Sequence, residues 1–163
     1  MSDSNKHIEV SISQQTLTLF ADDQLVGRYL ISSAQKGIGF EKGSNQTPLG
    51  KHYIRAKIGA NQPVGAVFVG RRPTGEIYSQ SLAEQAPERD WILTRILWLC
   101  GKEKGKNRLG NVDTMQRYIY IHGTPDSEPM GKPLSHGCIR MRNQDLVELF
   151  DLVEPGVEVD IRL

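Results

Sequence analysis

The sequence of 163 residues has few cysteines, no long apolar run and no excess of charge of either sign. With two cysteines it can form at most one disulfide, and at this length a single core folds without covalent cross-links. The longest apolar stretch, at 91–100, is interrupted by Thr94 and Arg95 and is too short to cross a bilayer. The amino terminus lacks the apolar segment of a secretion signal. We therefore expect a cytoplasmic protein with no membrane partner, or a periplasmic one if an export signal has been removed.

The balance of 20 basic against 19 acidic residues gives a net charge of about +1, which demands no polyanionic partner. The one basic cluster, GKEKGKNR at 101–108, contains a glutamate and no aromatic side chain for a base to stack on. A solvated loop is therefore favoured over nucleic-acid binding. The sequence also lacks a Pro/Ser-rich linker, an internal repeat and a low-complexity tract. These absences predict a single domain over residues 1–163, and nothing indicates an obligate protein partner.

Short runs rich in β-branched and aromatic residues recur between turn signals, and they predict strands. The runs are HIEVSI, QTLTLF, QLVGRYLIS, GKHYIRAKI, AVFVG, EIYSQ, RILWL, YIYIHG and the closing VEVDIRL. RRPTG, by contrast, has the composition of a turn. Many strands with little helix predict a mainly β domain, a sandwich or barrel-like fold.

One helix is clear near the carboxyl terminus. Asn143 can cap it, and Pro155 with Gly156 ends it. Its apolar face comprises Leu146, Val147, Leu149, Phe150 and Val153. A second helix around SLAEQAPERD is weaker, because it contains Pro87.

The segment IHGTPDSEPMGKPLSHGCIRM concentrates reactive side chains between two apolar runs. Cysteine catalysis needs a thiolate, a base to form it and hydrogen-bond donors for the oxyanion. In this segment His122 ends a predicted strand and is a candidate base for Cys138. Gly137 has no side chain, so the backbone N–H groups of Gly137 and Cys138 can face an oxyanion. His136 either lines the mouth of the site or competes as the base.

Two other interpretations of Cys138 stay open at this point. It could be a small core residue, as is predicted for Cys100, or a zinc ligand together with His122 and His136. The HG…HGC pattern matches none of the usual zinc-ligand spacings, so a metal is disfavoured. The two remaining histidines are predicted to be structural or surface residues: His7 and His52.

HGTPDSEPMGKPLSHGCIRMRN resembles the signature of the L,D-transpeptidase (YkuD-type) catalytic domain. That signature reads His-Gly, a spacer, and Ser/Thr-His-Gly-Cys followed by an apolar residue and Arg or Asn. The upstream GSNQTPLGKHYI is similar to the family's Thr-Pro-x-Gly stretch, in which Thr47 and Pro48 are interpreted as structural, and the closing VEVDI also fits. The resemblance covers most of the chain. It implies a YkuD-type β-sandwich carrying a cysteine acyl-transfer site, with no cofactor and no metal.

The resemblance also assigns roles to residues of this sequence. It implies that Cys138 is the nucleophile, that His122 is its general base, and that the backbone carbonyl of Gly123 holds the imidazole. Gly137 and Cys138 are implied as oxyanion donors. Arg140 is suited to pair with a substrate carboxylate, because guanidinium binds carboxylate bidentately. The residues implied to shape the substrate pocket are Ser135, His136 and Arg140.

The implied substrate is a peptidoglycan stem tetrapeptide, in which Cys138 attacks the carbonyl of the third residue and expels the terminal D-Ala. The thioester then reacts with water, as in an L,D-carboxypeptidase, or with an amine of a second stem, giving a 3-3 cross-link. Because a cytoplasmic enzyme meets soluble muropeptides, hydrolysis in cell-wall recycling is the main expectation and transpeptidation the alternative. A silent stem-peptide binding domain and a zinc peptidase are weaker alternatives. Acylation of Cys138 by carbapenems is also implied.

Overall fold

The computed structural model describes residues 5–163, which form ten strands and two α-helices. The strands are β1 (Lys6–Ser11), β2 (Thr16–Ala21), β3 (Gln24–Ser32), β4 (Gly50–Ile58), β5 (Ala66–Val69), β6 (Arg72–Ile77), β7 (Ile92–Gly101), β8 (Tyr120–Gly123), β9 (Ile139–Met141) and β10 (Glu158–Arg162). The helices are α1 (Gln80–Gln85) and α2 (Asn143–Leu152), and a 3₁₀ turn spans Gly110–Val112. No helix in this described part of the chain is long and apolar enough to cross a membrane.

All ten strands belong to one sheet that closes on itself. Their order is β4-β10-β1-β2-β3-β9-β8-β7-β5-β6, and β4 also pairs with β7. The result is a barrel-like ring, beyond which the β5–β6 hairpin extends from one end of β7. The prediction of a mainly β fold with one clear C-terminal helix is confirmed. The two layers of the predicted sandwich are opposite sides of one closed sheet.

The interior of the ring holds the main apolar core. Alternate strand residues point into it, as Ile8 and Val10 of β1 and Leu17 and Leu19 of β2 illustrate. Helix α2 packs onto the same core through residues that recur every three or four positions: Leu146, Leu149, Phe150 and, just beyond its end, Val153.

Two predicted boundaries are wrong for local reasons. RRPTG, predicted as a turn, contains the start of β6 at Arg72, and the turn is formed by Gly70 and Arg71, with φ angles of 57° and 65°. Two positive φ values are typical of the type I′ turn, whose twist matches that of the flanking strands. Asn143, predicted to cap α2, is its first residue, and Arg142 occupies the N-cap position.

Two short strands at the centre of the sheet differ from the sequence-based expectation. No strand is predicted for β9, because three residues are too few to show alternation. Strand β8 begins two residues later than the predicted run YIYIHG, since Tyr118 has a φ of 57°. Both strands belong to the segment that carries the reactive residues, so their exact pairing decides how that segment is arranged.

Two minor predictions are confirmed. The weaker helix is present as α1, in which Ser79 Oγ accepts a hydrogen bond from Leu82 N–H at 3.0 Å, and the helix ends before Pro87. Cys100 is a core residue of β7 with 6% of its surface exposed. It is therefore a natural control for experiments on the other cysteine.

His52 of β4 is a fully buried, structural histidine. Its Nδ1 lies 3.0 Å from the carbonyl oxygen of Gly50, and its Nε2 lies 3.0 Å from Thr114 Oγ1. A neutral imidazole satisfies both contacts, donating to the carbonyl and accepting from the hydroxyl. Burial lowers the pKa of His52 from 6.5 to about 4, although the Gly50 carbonyl opposes this change.

This burial predicts that the free energy of unfolding falls as the pH drops from 6.5 towards 4. The pKa of His52 is depressed in the folded state, so the stabilisation is present above the unfolded pKa and is lost as the unfolded chain takes up the proton. The total loss is about 3 kcal/mol, at about 1.4 kcal/mol per pH unit. Urea unfolding over this pH range measures it, and His52→Gln should leave the part that comes from the other buried histidine, His122, and so weaken the dependence. His7→Gln is the control that should retain it; equal pH dependence in wild type and His52→Gln would contradict the prediction.

Candidate active site

Cys138 and His122 lie on the same outer face of the barrel because β8 and β9 are parallel and in a defined register. His122 is opposite Arg140, and Ile121 is opposite Ile139. Side chains alternate along a strand, so the fully buried Ile121 and Ile139 point into the core while His122 and Arg140 point away from it. Cys138 immediately precedes β9, two residues before Arg140, and shares its side of the sheet. The fold thus brings the two predicted reactive residues onto neighbouring strands.

The sulfur of Cys138 is held between two backbone groups. The Tyr120 N–H donates to Sγ at 3.2 Å, and the thiol donates to the carbonyl oxygen of Tyr118 at 3.4 Å. The side chain is half-buried and packs beside an apolar cluster that includes Phe68, Ile96 and Tyr120. Burial raises the pKa of the Cys138 thiol to about 12, and the hydrogen bond from the Tyr120 amide opposes this rise. At neutral pH Cys138 is therefore a thiol.

His122 is almost completely buried, and its orientation is fixed by its neighbour in sequence. Its Nδ1 lies 2.6 Å from the carbonyl oxygen of Gly123, the contact that the family resemblance implies. A carbonyl only accepts hydrogen bonds, so Nδ1 carries the proton and Nε2 is the basic nitrogen. Burial lowers the pKa of His122, against the opposing effect of the Gly123 carbonyl. The resting pair is consequently a neutral thiol and a neutral imidazole.

A neutral pair predicts how alkylation of the thiol depends on pH and on each histidine. Iodoacetamide labelling of Cys138 should continue to accelerate as the pH rises above neutrality, without a low-pH plateau, because burial raises the pKa of the thiol and the thiolate is the reacting species. His122→Gln should slow labelling near neutral pH, and His136→Gln should slow it less. Equal slowing by both substitutions would show that the assignment of His122 as the base is wrong. A plateau below pH 7 would indicate a preformed thiolate–imidazolium pair.

The loop that carries Cys138 is shaped by two hydroxyl groups. Ser135 Oγ donates to the carbonyl oxygen of Cys138 at 2.5 Å and accepts from the Gly137 N–H at 3.2 Å. Thr47 Oγ1 donates to the Gly137 carbonyl at 2.8 Å and accepts from the Ala34 N–H at 3.0 Å, in keeping with its structural interpretation. Gly137 has a φ of 132°, which a residue with a side chain rarely adopts. An oxyanion role for the Gly137 amide therefore requires exchange of its bond to Ser135, and that role remains a prediction.

The two predicted pocket residues His136 and Arg140 meet at a carboxylate that the sequence did not indicate. Asp90 Oδ1 lies 3.4 Å from His136 Nδ1 and 3.3 Å from Arg140 Nη2. The His136 side chain is 63% exposed, whereas that of Arg140 is 9% exposed. The structure therefore places His136 at an open surface and gives Arg140 a protein carboxylate as partner. Their binding of substrate remains a prediction. No motif marks Asp90, because only the fold brings its loop to this edge.

A second group that the sequence did not indicate is a pair of hydrogen-bonded side chains, Thr94 and Asn143, which hold the end of β8 against β7 and α2. Thr94 Oγ1 donates to Asn143 Oδ1 at 2.6 Å, and Asn143 Nδ2 donates to the Thr124 carbonyl at 2.9 Å. Thr94 has a φ of 76° within an irregular stretch of β7, and it is fully buried. A Cβ atom added at Gly123 would meet Asn143 Oδ1 and the carbonyl oxygen of Leu93. The backbone that orients His122 is thus packed tightly against β7 and α2.

The zinc interpretation finds no geometric counterpart in residues 5–163. Within them, no three or more His, Cys, Asp or Glu side chains are grouped to hold a metal ion.

Known proteins are similar to this chain in sequence. The family model of the L,D-transpeptidase catalytic domain (YkuD) matches residues 5–161. The protein YkuD of Bacillus subtilis (strain 168), which carries an L,D-transpeptidase name, is 30% identical over 156 residues, covering 95% of this chain and 65% of that protein. A shorter match, to YbiS of Escherichia coli (strain K12), is 44% identical over 43 residues, 26% of this chain and 14% of that protein. The chain thus spans slightly less than two thirds of the YkuD relative.

Solved structures share the fold at low sequence identity. L,D-transpeptidase 3 from Mycobacterium tuberculosis, in complex with a faropenem-derived adduct, superposes with a TM-score of 0.62 at 18% identity, over 98% of this chain and 61% of that chain. The L,D-transpeptidase LdtMt1 in complex with imipenem superposes with a TM-score of 0.58 at 19% identity, over 97% of this chain and 59% of that chain. Since the family model spans all of the chain except its first four and last two residues, the protein belongs to the L,D-transpeptidase catalytic domain (YkuD) family.

Proposed function

We propose that the protein is a cysteine-dependent peptidase of peptidoglycan stem tetrapeptides, working through a thioester on Cys138. The observation that carries the proposal is the orientation of His122, whose Nδ1 is bound to the Gly123 carbonyl so that Nε2 is the base on the face that bears the thiol. Family membership supports the substrate class. The proposed chemistry uses a thiol, an imidazole and backbone amides, and it requires no cofactor.

In the first half-reaction the thiol proton passes to His122 Nε2 as sulfur bonds to the carbonyl carbon of the third stem residue. The neutral starting pair suits this step, because charge develops only when the substrate has excluded water. The oxyanion requires backbone donors, for which the Cys138 amide and the Gly137 amide are the candidates. When the carbon–nitrogen bond breaks, the imidazolium returns its proton to the leaving amine, and D-Ala departs from a thioester.

We propose that water is the main acceptor in the second half-reaction. Asp90 and His136 lie beside the site and their side chains are 44% and 63% exposed, so this edge is polar and open to solvent. His122 takes a proton from a water molecule as the oxygen of that water attacks the thioester. The imidazolium then returns the proton to the sulfur, which leaves as the thiol. The products are a tripeptide with a new carboxylate and a free enzyme. This is the L,D-carboxypeptidase reaction.

One observation favours transpeptidation as the second candidate. A cavity of about 480 Å³ lies behind the end of β8, lined by Val64, Gly65, Tyr78, Gln80, Leu93, Asp126, Ser127 and Asn143. Its carboxylate, on Asp126, accepts a hydrogen bond from Asn143 Nδ2 at 3.2 Å and is of the right charge to bind an ammonium group. Amine attack competes with water only if the amine is held in attack geometry, so cross-linking requires that an acceptor stem bound near this cavity also extend its amine to the Cys138 thioester.

The deciding experiment incubates the full chain with disaccharide tetrapeptide in ¹⁸O-labelled water and resolves the products by mass. Hydrolysis yields D-Ala and a tripeptide carrying one ¹⁸O atom, with little 3-3 dimer even at high substrate concentration. Abundant unlabelled dimer would establish the transpeptidase instead, and Cys138→Ala measures the background. No turnover of any stem peptide would overturn the proposal. The predicted cytoplasmic location is tested separately with a fluorescent fusion, which should fill the cytoplasm.

A further inference from the structure

Three arginines lie around the nucleophile, and they differ in how their charges are engaged. Arg140 pairs with Asp90 and is nearly buried. Arg117 directs Nη1 and Nη2 to the backbone and a hydroxyl of the loop at 39–46. Arg71 is partly exposed and, within residues 5–163, forms no ion pair. Arg117 likewise forms no ion pair with residues 5–163, but both of its terminal nitrogens are engaged, so Arg71 is the arginine that combines an unpaired charge with a free edge.

Arg71 is nevertheless held in a defined position over the site. Its Nη1 donates to the hydroxyl of Tyr120 at 3.1 Å, and its guanidinium lies 4.8 Å from the ring centroid of Trp98 and 4.6 Å from that of Tyr118. Stacking on aromatic faces fixes the plane of a guanidinium and leaves its edge free to donate. The residue occupies the hairpin turn between β5 and β6 with a φ of 65°, a conformation that costs a non-glycine residue about 1 kcal/mol.

The aromatic residues that hold Arg71 are the same ones that hold the nucleophile. The Tyr120 N–H and the Tyr118 carbonyl bind the sulfur of Cys138, while the side chains of these two tyrosines carry the guanidinium. Arg71 therefore stands one tyrosine side chain away from the thiol.

We propose that Arg71 is a specificity residue that binds the terminal carboxylate of the leaving amino acid. This inference rests on the proposed function and deepens it, because a peptidase that removes one residue must recognise the free carboxyl end of its substrate. That carboxylate lies one residue beyond the scissile carbonyl, and the Arg71 guanidinium lies at the hydroxyl end of Tyr120, whose backbone amide binds the sulfur. The free edge of the guanidinium matches a carboxylate in bidentate geometry. Arg140, already paired with Asp90, is less available for this role.

The test compares two synthetic tetrapeptides that differ only at the carboxyl end. Both have lysine as third residue, so that no side-chain carboxylate is present, and one ends in D-Ala while the other ends in D-alaninamide. The kcat/KM for release of the last residue is measured for the wild type, Arg71→Gln, Arg71→Lys and the control Arg72→Gln. Arg72 is the exposed neighbour of Arg71 at the start of β6.

The wild type should prefer the free acid by about 10- to 100-fold, the range expected for a charge-assisted hydrogen-bonded pair. Arg71→Gln should lose that preference by slowing the acid and leaving the amide unchanged, and Arg71→Lys should restore part of it. Arg72→Gln should behave as the wild type. Equal slowing of both peptides in Arg71→Gln, or an unchanged preference, would overturn this inference and leave the proposed function standing. Turnover of neither peptide by the wild type would overturn the proposed function and this inference with it.

A second pair of peptides separates the terminal carboxylate from a carboxylate on the side chain of the third residue. In it the third residue is a diamino acid with a side-chain carboxylate, again with the acid or the amide at the end. If Arg71 binds the terminal carboxylate, Arg71→Gln affects only the acid in this pair too. Loss of activity on the amide of this pair, but not on the lysine amide, would assign Arg71 to the side-chain carboxylate and overturn the inference as stated.

Discussion

Replacement of Cys138 by alanine is expected to abolish release of D-Ala, with a loss on the order of 10⁴-fold or more, as for other nucleophile removals. The cost in folding stability should be small, because the side chain is half-buried at the edge of an apolar cluster. Product release from a stem tetrapeptide and thermal unfolding measure the two effects. The same variant should not be acylated by imipenem, because a strained β-lactam carbonyl reacts with the same thiol as the peptide carbonyl.

Cys100→Ala is the matched control for this result. Cys100 is buried in β7, so its truncation should lower stability through a small cavity while activity persists. Imipenem should add once to this variant and once to the wild type, with the adduct mapped to Cys138. An adduct on Cys100, or release of D-Ala by Cys138→Ala, would remove Cys138 from the role of nucleophile.

The second large effect is expected from Gly123→Ala. The new methyl group would meet the carbonyl oxygen of Leu93 at 2.6 Å and the side-chain oxygen of Asn143, so β7 or β8 must shift. Over-packing of this kind costs about 1–3 kcal/mol. The shift also moves the carbonyl that orients His122, and an imidazole in the wrong position or tautomer cannot deprotonate the thiol. We expect a loss of kcat on the order of 10²-fold or more, the size of a general-base contribution.

Gly156→Ala separates loss of stability from loss of orientation. Gly156 lies beyond α2 with a φ of 97°, and nothing lies within 4 Å of a Cβ added there. The substitution should lower stability by about 1–2 kcal/mol through backbone strain and leave kcat unchanged. Thermal unfolding and D-Ala release on both variants test this. A Gly123→Ala enzyme with normal kcat would show that the carbonyl contact does not control the base.

The sequence alone determined those features that depend on local patterns. The runs QLVGRYLIS and GKHYIRAKI coincide with β3 and β4, because the content of β-branched and aromatic residues between turn signals is a property of each strand by itself. Periodic apolar residues followed by Pro155 likewise predict α2 and its end. The motif Ser-His-Gly-Cys identifies Cys138, and His-Gly identifies His122, since their chemistry is written in side-chain type and spacing.

Only the tertiary structure decided how these residues are placed and in which protonation state they rest. The three-residue strand β9 has no pattern of its own, yet its parallel register with β8 puts Cys138 and His122 on one face. Asp90 and Arg71 reach the site from distant loops through contacts that local sequence does not encode. The neutral thiol and imidazole follow from burial, which depends on the whole packed chain rather than on neighbours in sequence.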